Sequence, residues 1–152
     1  MSKGLYPFGL NHYRSLKFQK LRKLISKNQR KIKVEGAYGS SLSFLLIDIF
    51  SSINQQIFYI SNTKETASYV YSDIVELIGE INCSFLPSNY RSDAKKIKDE
   101  SNIINRSKTI RDILDNETKI IVTYPEAIFE KIPNEKEIDS KTINICLLYT
   151  SD

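Results

Sequence analysis

Residues 36–43 read Gly-Ala-Tyr-Gly-Ser-Ser-Leu-Ser and lie between a short apolar run, KIKV, and a longer one, FLLIDIF. They fit the frame of a phosphate-binding loop, G-x-x-x-x-G-K-[ST], between a strand and a helix. In such a loop the glycines let the backbone fold against phosphates, the lysine pairs with the β/γ-phosphates, and the final hydroxyl holds magnesium. Gly36 takes the first glycine position and Gly39 an inner one. Ser40 and Ser41 follow, with Ser41 in place of the second glycine. Leu42 stands where the lysine belongs, and Ser43 keeps the metal-binding hydroxyl. A helix N-terminus can still attract an anion through its free N–H groups, but here no cation neutralises a triphosphate. A hydrolase of this kind also needs an acid after a hydrophobic strand to organise metal and water. After KIIVTY the chain continues Pro125-Glu126, and Glu126 reads more simply as a first-turn acid favoured by the helix dipole. The loop therefore reads as vestigial, and no ATP or magnesium is expected to be held by it.

No other catalytic set surfaces. The chain has one histidine, His12, and two cysteines, Cys83 and Cys146. These form neither a Cys–His nor a Ser–His–Asp arrangement, and they are too few for a four-ligand zinc site. No metal site is expected. Tyr59, Tyr69 and Tyr71 lie on apolar elements and read as packing residues. Asp48, inside an apolar helix, is expected on its outward side. Tyr90 and Arg91, adjacent in a polar stretch, suit a binding surface or equally a loop anchor. The net charge of +4 is unevenly spread: residues 1–34 hold 10 Lys/Arg and no acid, while the rest holds 12 against 18 acids. Lys17, Lys20, Arg22, Lys23 and Lys27 form the basic side of an amphipathic N-terminal segment. They could track phosphates or an acidic protein, or form a solvated outer face.

The elements that must position these residues follow from periodicity. Apolar Tyr13, Leu16, Leu21, Leu24 and Ile25 predict a helix from Asn11 to Asn28, with Asn11 as N-cap. KIKVEG reads as a short strand, and SLSFLLIDIFSSI as an apolar helix capped by Ser40 or Ser41. QIFYIS is a strand, apolar on both faces. TKETASYVYSDIVELIG is a helix that starts at Thr63 and is stopped by Gly79. NCSFLP is a strand ended by Pro87. SNYRSDAKKIKDE is a polar loop. SNIINRSKTIRDILDN is a helix with Ile103, Ile110, Ile113 and Leu114 inward. KIIVTY is a strand apolar on both faces, PEAIFEKI a short helix with Pro125 in its first turn, and TINICLLY a last strand candidate. Strand and helix alternate as in a parallel sheet with right-handed crossovers. The expected fold class is α/β, a three-layer parallel-sheet domain of degenerate, nucleoside-triphosphatase-like type, preceded by an N-terminal helix.

With 152 residues, 41% hydrophobic and 26% charged, the composition is that of a soluble globule, and a chain of that size buries roughly 70% of its unfolded surface. No apolar run is long enough to span a membrane. The basic start lacks the apolar region of a secretory signal. Two unpaired cysteines suit a reducing, cytoplasmic setting. On these residues, three roles stay open: a non-catalytic scaffold, a nucleotide-binding domain of a DNA helicase or repair NTPase, and a DNA-binding module using the basic helix.

Four segments in order, GAYGSSLSFLLIDIF, SNTKETASYVYSDIVELIGE, FLPSNYR and IVTYPEAIFEKIP, resemble the start of the bacterial transcription-repair coupling factors. The resemblance covers about residues 10–145, with GSSLSF and VTYPEAIFEKI its most specific parts. It implies a UvrB-like, RecA-like lobe over residues 34–145 that has lost its nucleotide motif, behind a basic lead-in over 1–33. The family is an ATP-driven DNA translocase that displaces stalled RNA polymerase and recruits UvrA for nucleotide excision repair. Its ATP and magnesium belong to motor domains, and no family catalytic residue carries over to this chain. The resemblance implies a scaffold that packs against other domains of its own chain, with UvrA, RNA polymerase and double-stranded DNA as partners of the family. Residues 146–152, CLLYTSD, depart from the family and resemble a translated sequencing-adapter read-through, so the chain is expected to be a fragment with a non-native tail. A lobe taken alone in this way is expected to expose an apolar sheet edge or helix face.

Overall fold

The computed structural model describes residues 16–27, 31–89 and 100–132. Among the described residues, five α-helices and three strands follow one another: α1 Leu16–Ser26, α2 Ser40–Ile53, β1 Ile57–Ile60, α3 Lys64–Ile78, β2 Cys83–Phe85, α4 Glu100–Leu114, β3 Ile120–Thr123 and α5 Pro125–Phe129. A 3₁₀ turn, Glu80–Asn82, leads into β2. The fold is mixed α/β around a small parallel sheet.

Local chemistry accounts for most of these boundaries. Thr63 caps α3, its Oγ1 accepting the Thr66 N–H at 3.2 Å, which satisfies one of the orphan donors of the first turn. Gly79 ends α3 at φ 84°, ψ 154° with its N–H on Val75 O, a conformation that a side chain would strain. Asn54 ends α2 in the left-handed region, its N–H on Phe50 O. Pro125 opens α5, where its missing N–H costs nothing.

The strand order is β1-β3-β2, all parallel. Ile57 pairs with Ile120, Phe58 with Ile121, and Ile60 with Thr123; Cys83 pairs with Ile120. The crossover from β1 to β2 passes over β3 in one lateral direction, and that from β2 to β3 returns. Two right-handed crossovers of opposite direction must put their helices on opposite faces. The packing agrees. Ile120 and Val122 join a core with Leu46, Ile47 and Phe50 of α2 and Val70 and Ile74 of α3, while Ile121 packs with Ile110 of α4 and Leu86. β3, in the middle, is buried along its whole length, and each such isoleucine contributes about 1.5–3 kcal/mol.

A polar cluster ties the opposite ends of the strands together. Asp112 Oδ2 accepts from Ser84 Oγ at 2.6 Å and pairs with Lys119 Nζ at 3.0 Å. Gln56 Nε2 donates to Glu117 O at 3.0 Å, so the entries to β1, β2 and β3 share one network.

The structure departs from several sequence expectations. Lys31–Gly36, expected as a strand, joins no ladder. Two lysines alternate with only Ile32 and Val34, Val34 is exposed, and Lys33 pairs with Glu35 in solvent, so the run has too little apolar surface to claim a place in the sheet. β1, expected to be covered on both faces, is covered on one: Ile57 and Tyr59 pack inward, while Phe58 and Ile60 are 50% and 55% exposed. Neither Ser40 nor Ser41 caps α2; the N-cap is Gly39. Leu114 is exposed, whereas Arg106, Thr109 and Asp112 of the same helix are buried. Asp48, expected outward, is fully buried. The predicted helix start at Asn11 and the strand candidate TINICLLY lie outside the described residues.

Candidate functional site

The loop of residues 36–43 sits at the N-terminus of α2. Gly36 and Gly39 have φ 83° and 53°, the positive values that a tight turn needs and glycine permits. Three of the loop's N–H donors, those of Tyr38, Ser41 and Leu42, are bonded within the loop itself. Ser41 N–H donates to Tyr38 O at 3.2 Å and Leu42 N–H to Gly39 O at 3.0 Å. Ser41 Oγ donates to Tyr38 O at 2.6 Å and accepts from Tyr38 N–H at 2.8 Å. Ser40 is exposed. Leu42 is half-buried against the core of α2, α3 and β3. Ser43 is fully buried and its Oγ donates to Asp73 Oδ2 at 3.1 Å. The position of the lysine thus points into packing, and the position of the metal hydroxyl serves a helix–helix contact. These residues do not fit a magnesium–triphosphate group. They fit a helix start braced against α3.

The basic helix divides. Lys20, Lys23 and Lys27 are exposed; the side chain of Lys17 lies outside the described residues. Arg22 is no free phosphate contact, because it turns inward to the buried carboxylate of Asp48. Arg22 Nε donates to Asp48 Oδ2 at 2.9 Å, and Nη2 bonds to Oδ1. This fork-to-fork pair joins α1 to α2 with the geometry in which arginine holds carboxylates best. It also explains the burial of Asp48, since a carboxylate leaves water only when paired. A cleft of about 490 Å³ opens beside it, with Leu21, Leu24, Ile32 and Leu45 in its wall and Lys20 and Lys33 in its lining. Residues 34–37 and Ser41 complete its lining, so it opens between α1 and the segment that leads into α2.

At the C-terminal ends of β2 and β3 lies a polar clamp that the periodicity did not disclose. Arg106, 3% exposed, donates from Nη1 to Pro87 O at 2.9 Å and Ala127 O at 2.8 Å, and from Nη2 to Glu130 O at 3.3 Å. Its Nε lies 3.6 Å from Glu130 Oε2. Glu130 accepts from Ser88 Oγ and from Asn89 N–H at 3.1 Å. Ser88 N–H donates to Tyr124 Oη at 2.8 Å. Arg106 had a legible signal: it falls three residues after Ile103 and four before Ile110, on the inward stripe. Burial lowers its pKa, opposed by the charges of Glu130 and Tyr124. The clamp fixes the chain just before Tyr90 and Arg91, which themselves lie outside the described residues.

Three further titratable groups, Cys83, Tyr71 and Lys119, are shifted by burial or by ion pairing. Cys83 is buried, which pushes its thiol up to about 12, so it is neither nucleophile nor ligand near neutrality. Burial raises Tyr71, reinforced by the charges of Cys83 and Glu80; its ring packs on Phe85. Burial would lower Lys119, but its hydrogen bonds to Glu117 and Asp112 and their charges outweigh this and raise it. Tyr59 is half-buried against the core, while Tyr69 is exposed. Among the described residues, Ser61 Oγ is the one buried side-chain atom without a hydrogen-bond partner. No group of three or more His, Cys, Asp or Glu among them could hold a metal ion, and no helix among them is long and apolar enough to cross a membrane. Comparison of the chain with models of known protein families and with curated proteins gives no match.

Proposed function

We propose that this chain is a non-catalytic scaffold lobe, the N-terminal UvrB-like, degenerate RecA-like part of a transcription-repair coupling factor. One observation carries the scaffold reading: Leu42 and Ser43 face the interior, one in the core and the other hydrogen-bonded to Asp73. A loop whose two phosphate and metal positions are spent on packing supports a role in holding parts together rather than in turning over nucleotide. The family part of the reading rests on the quoted segments. They fall on connected parts of the fold: the α2 start, α3 with its caps, the exit of β2, and β3 with α5. Its partners are then other domains of its own protein and, through them, UvrA, RNA polymerase and duplex DNA.

The test is titration with a fluorescent ATP analogue, with and without magnesium, of the natural chain and of Leu42→Lys. The expected result is no magnesium-dependent binding by the natural chain. Tight magnesium-dependent binding would replace the scaffold by a nucleotide-binding domain of a helicase or repair NTPase. The family reading has a separate check, the genomic DNA that follows codon 145: a reading frame without helicase motifs would remove it.

The exposed Lys20, Lys23 and Lys27 on α1 favour a second reading, a DNA-binding module. It requires duplex affinity that falls with salt by a log–log slope of about 0.9 for each phosphate contacted. Negligible affinity already at low salt would exclude it.

A further inference from the structure

We propose that the cleft between α1 and residues 32–37 is the docking surface for an acidic peptide segment of a partner protein, which pairs its backbone with residues 32–36 and sets one or two large apolar side chains into the cleft. The proposal goes beyond the scaffold reading and does not depend on its family part.

The backbone on one side of the cleft is unclaimed. Residues 32–36 join no ladder, and no backbone hydrogen bond ties them to another described residue. Six consecutive residues, 32–37, line the cleft, so this wall is main chain as much as side chain. Backbone N–H and C=O groups are strong, obligatory hydrogen-bonding groups. A run of them beside a cleft suits recognition by strand addition, in which main-chain bonds supply affinity and pockets for side chains supply specificity.

The cleft supplies such a pocket. Leu21 and Leu45 are buried in its wall, Leu24 and Ile32 are half-buried, and Val34 is 48% exposed. Its volume of about 490 Å³ falls within the range of about 300–1,000 Å³ that ligand clefts occupy.

Charge identifies the occupant. Lys20 of α1 and Lys33 of the facing segment both line the cleft, and the exposed Lys23 and Lys27 follow Lys20 at helical spacing. Arg22 is not part of this set, being spent on Asp48. The lining holds one acid, Glu35, which pairs with Lys33 at 2.6 Å. Both partners are in solvent, and an exposed pair of this kind is held weakly. Carboxylates that face the α1 lysines, on either side of a large apolar side chain, are the complement of this surface. A nucleic acid is a poorer fit. No aromatic ring lines the cleft for a base to stack on, Glu35 opposes a uniform polyanion, and a phosphate backbone makes no use of Leu24 and Val34.

The experiment is selection on the full chain from a phage-displayed library of random peptides of about twelve residues, followed by NMR titration of the natural chain with an enriched peptide made synthetically. The expected result is enrichment of sequences in which Asp or Glu flank Leu, Ile, Val or Phe, with amide shifts confined to residues 20–24 and 32–37. Affinity should fall about tenfold or more in Lys20→Glu/Lys33→Glu and severalfold in Val34→Ser. These three side chains are exposed, so both variants should keep the circular dichroism spectrum of the natural chain. No enrichment, enrichment without the acidic and apolar pattern, shifts that fall elsewhere, or affinity unchanged in both variants would overturn the proposal. So would duplex DNA that shifts the same amides and displaces the peptide, which would assign the cleft to nucleic acid. Decanoate that binds there while no peptide does would assign it instead to a small amphiphilic anion.

Discussion

Replacing Arg106 by methionine keeps an unbranched apolar stem close to arginine's aliphatic part and removes the guanidinium, so it isolates the clamp between β2, α4 and α5. Three carbonyls, of Pro87, Ala127 and Glu130, lose donors at 2.9, 2.8 and 3.3 Å, and the Glu130 carboxylate loses its cation at 3.6 Å. Removing one member of a buried ion pair costs about 3–5 kcal/mol. Glu130 keeps its bonds to Ser88 and Asn89 and is partly open to solvent, with 16% of its side chain exposed, so the lower part of that range applies, about 3 kcal/mol. A domain of ordinary stability, about 5–15 kcal/mol, would retain its fold but unfold at distinctly lower urea. The midpoint temperature would fall by roughly 6–12 °C. The chain has no tryptophan, so far-UV circular dichroism through urea and thermal unfolding is the suitable readout. Glu130→Gln should cost a comparable amount, about 3 kcal/mol, because it leaves the buried Arg106 guanidinium without its counter-charge although the amide oxygen still accepts from Ser88 and Asn89. The double variant should cost less than the sum of the two, as coupled partners do. A loss below about 1 kcal/mol for Arg106→Met would refute the clamp as a stabilising feature.

Three further outcomes are open to measurement. Arg22→Met strands the buried Asp48 carboxylate. With the Arg22 side chain 39% exposed, solvent screening discounts the cost to about 2 kcal/mol, and Arg22→Met/Asp48→Leu should recover most of it in the same urea assay. Gly79→Ala meets no atom within 4 Å, so its cost of roughly 1–3 kcal/mol is backbone strain alone at φ 84°, ψ 154°; an unchanged thermal midpoint would contradict this. Cys83 titrates near 12 when folded against 9.0 for the free thiol. Below pH 9 both states hold the proton and stability is unaffected. From pH 9 upward the unfolded chain ionises first, and stability falls by up to about 1.4 kcal/mol per pH unit. Urea midpoints at pH 8, 9 and 10 should show this decline, and Cys83→Ala should flatten it.

What neighbours within one helical turn decide could be read directly from the residue letters. Thr63, Thr66 and Gly79 mark the ends of α3, and Pro125 marks the start of α5, because caps and fixed dihedrals act locally. The unbroken apolar run of β3 already required cover on both faces. The missing lysine at Leu42 was equally plain, since it needs only the letter at that position. Tertiary structure decided everything that depends on which element lies opposite. Asp48 became a buried half of an ion pair because α1 brings Arg22 to it. Ser43 became a brace because α3 presents Asp73. Arg106 broke the apolar stripe of α4 because three carbonyls and Glu130 converge where β2 and β3 end. KIKV and IFYI were both expected as strands, yet the first, half lysine, joins no ladder and the second is covered on one face only. Periodicity reports that a side chain can be buried; only the partner across the interface supplies the burial or the counter-charge.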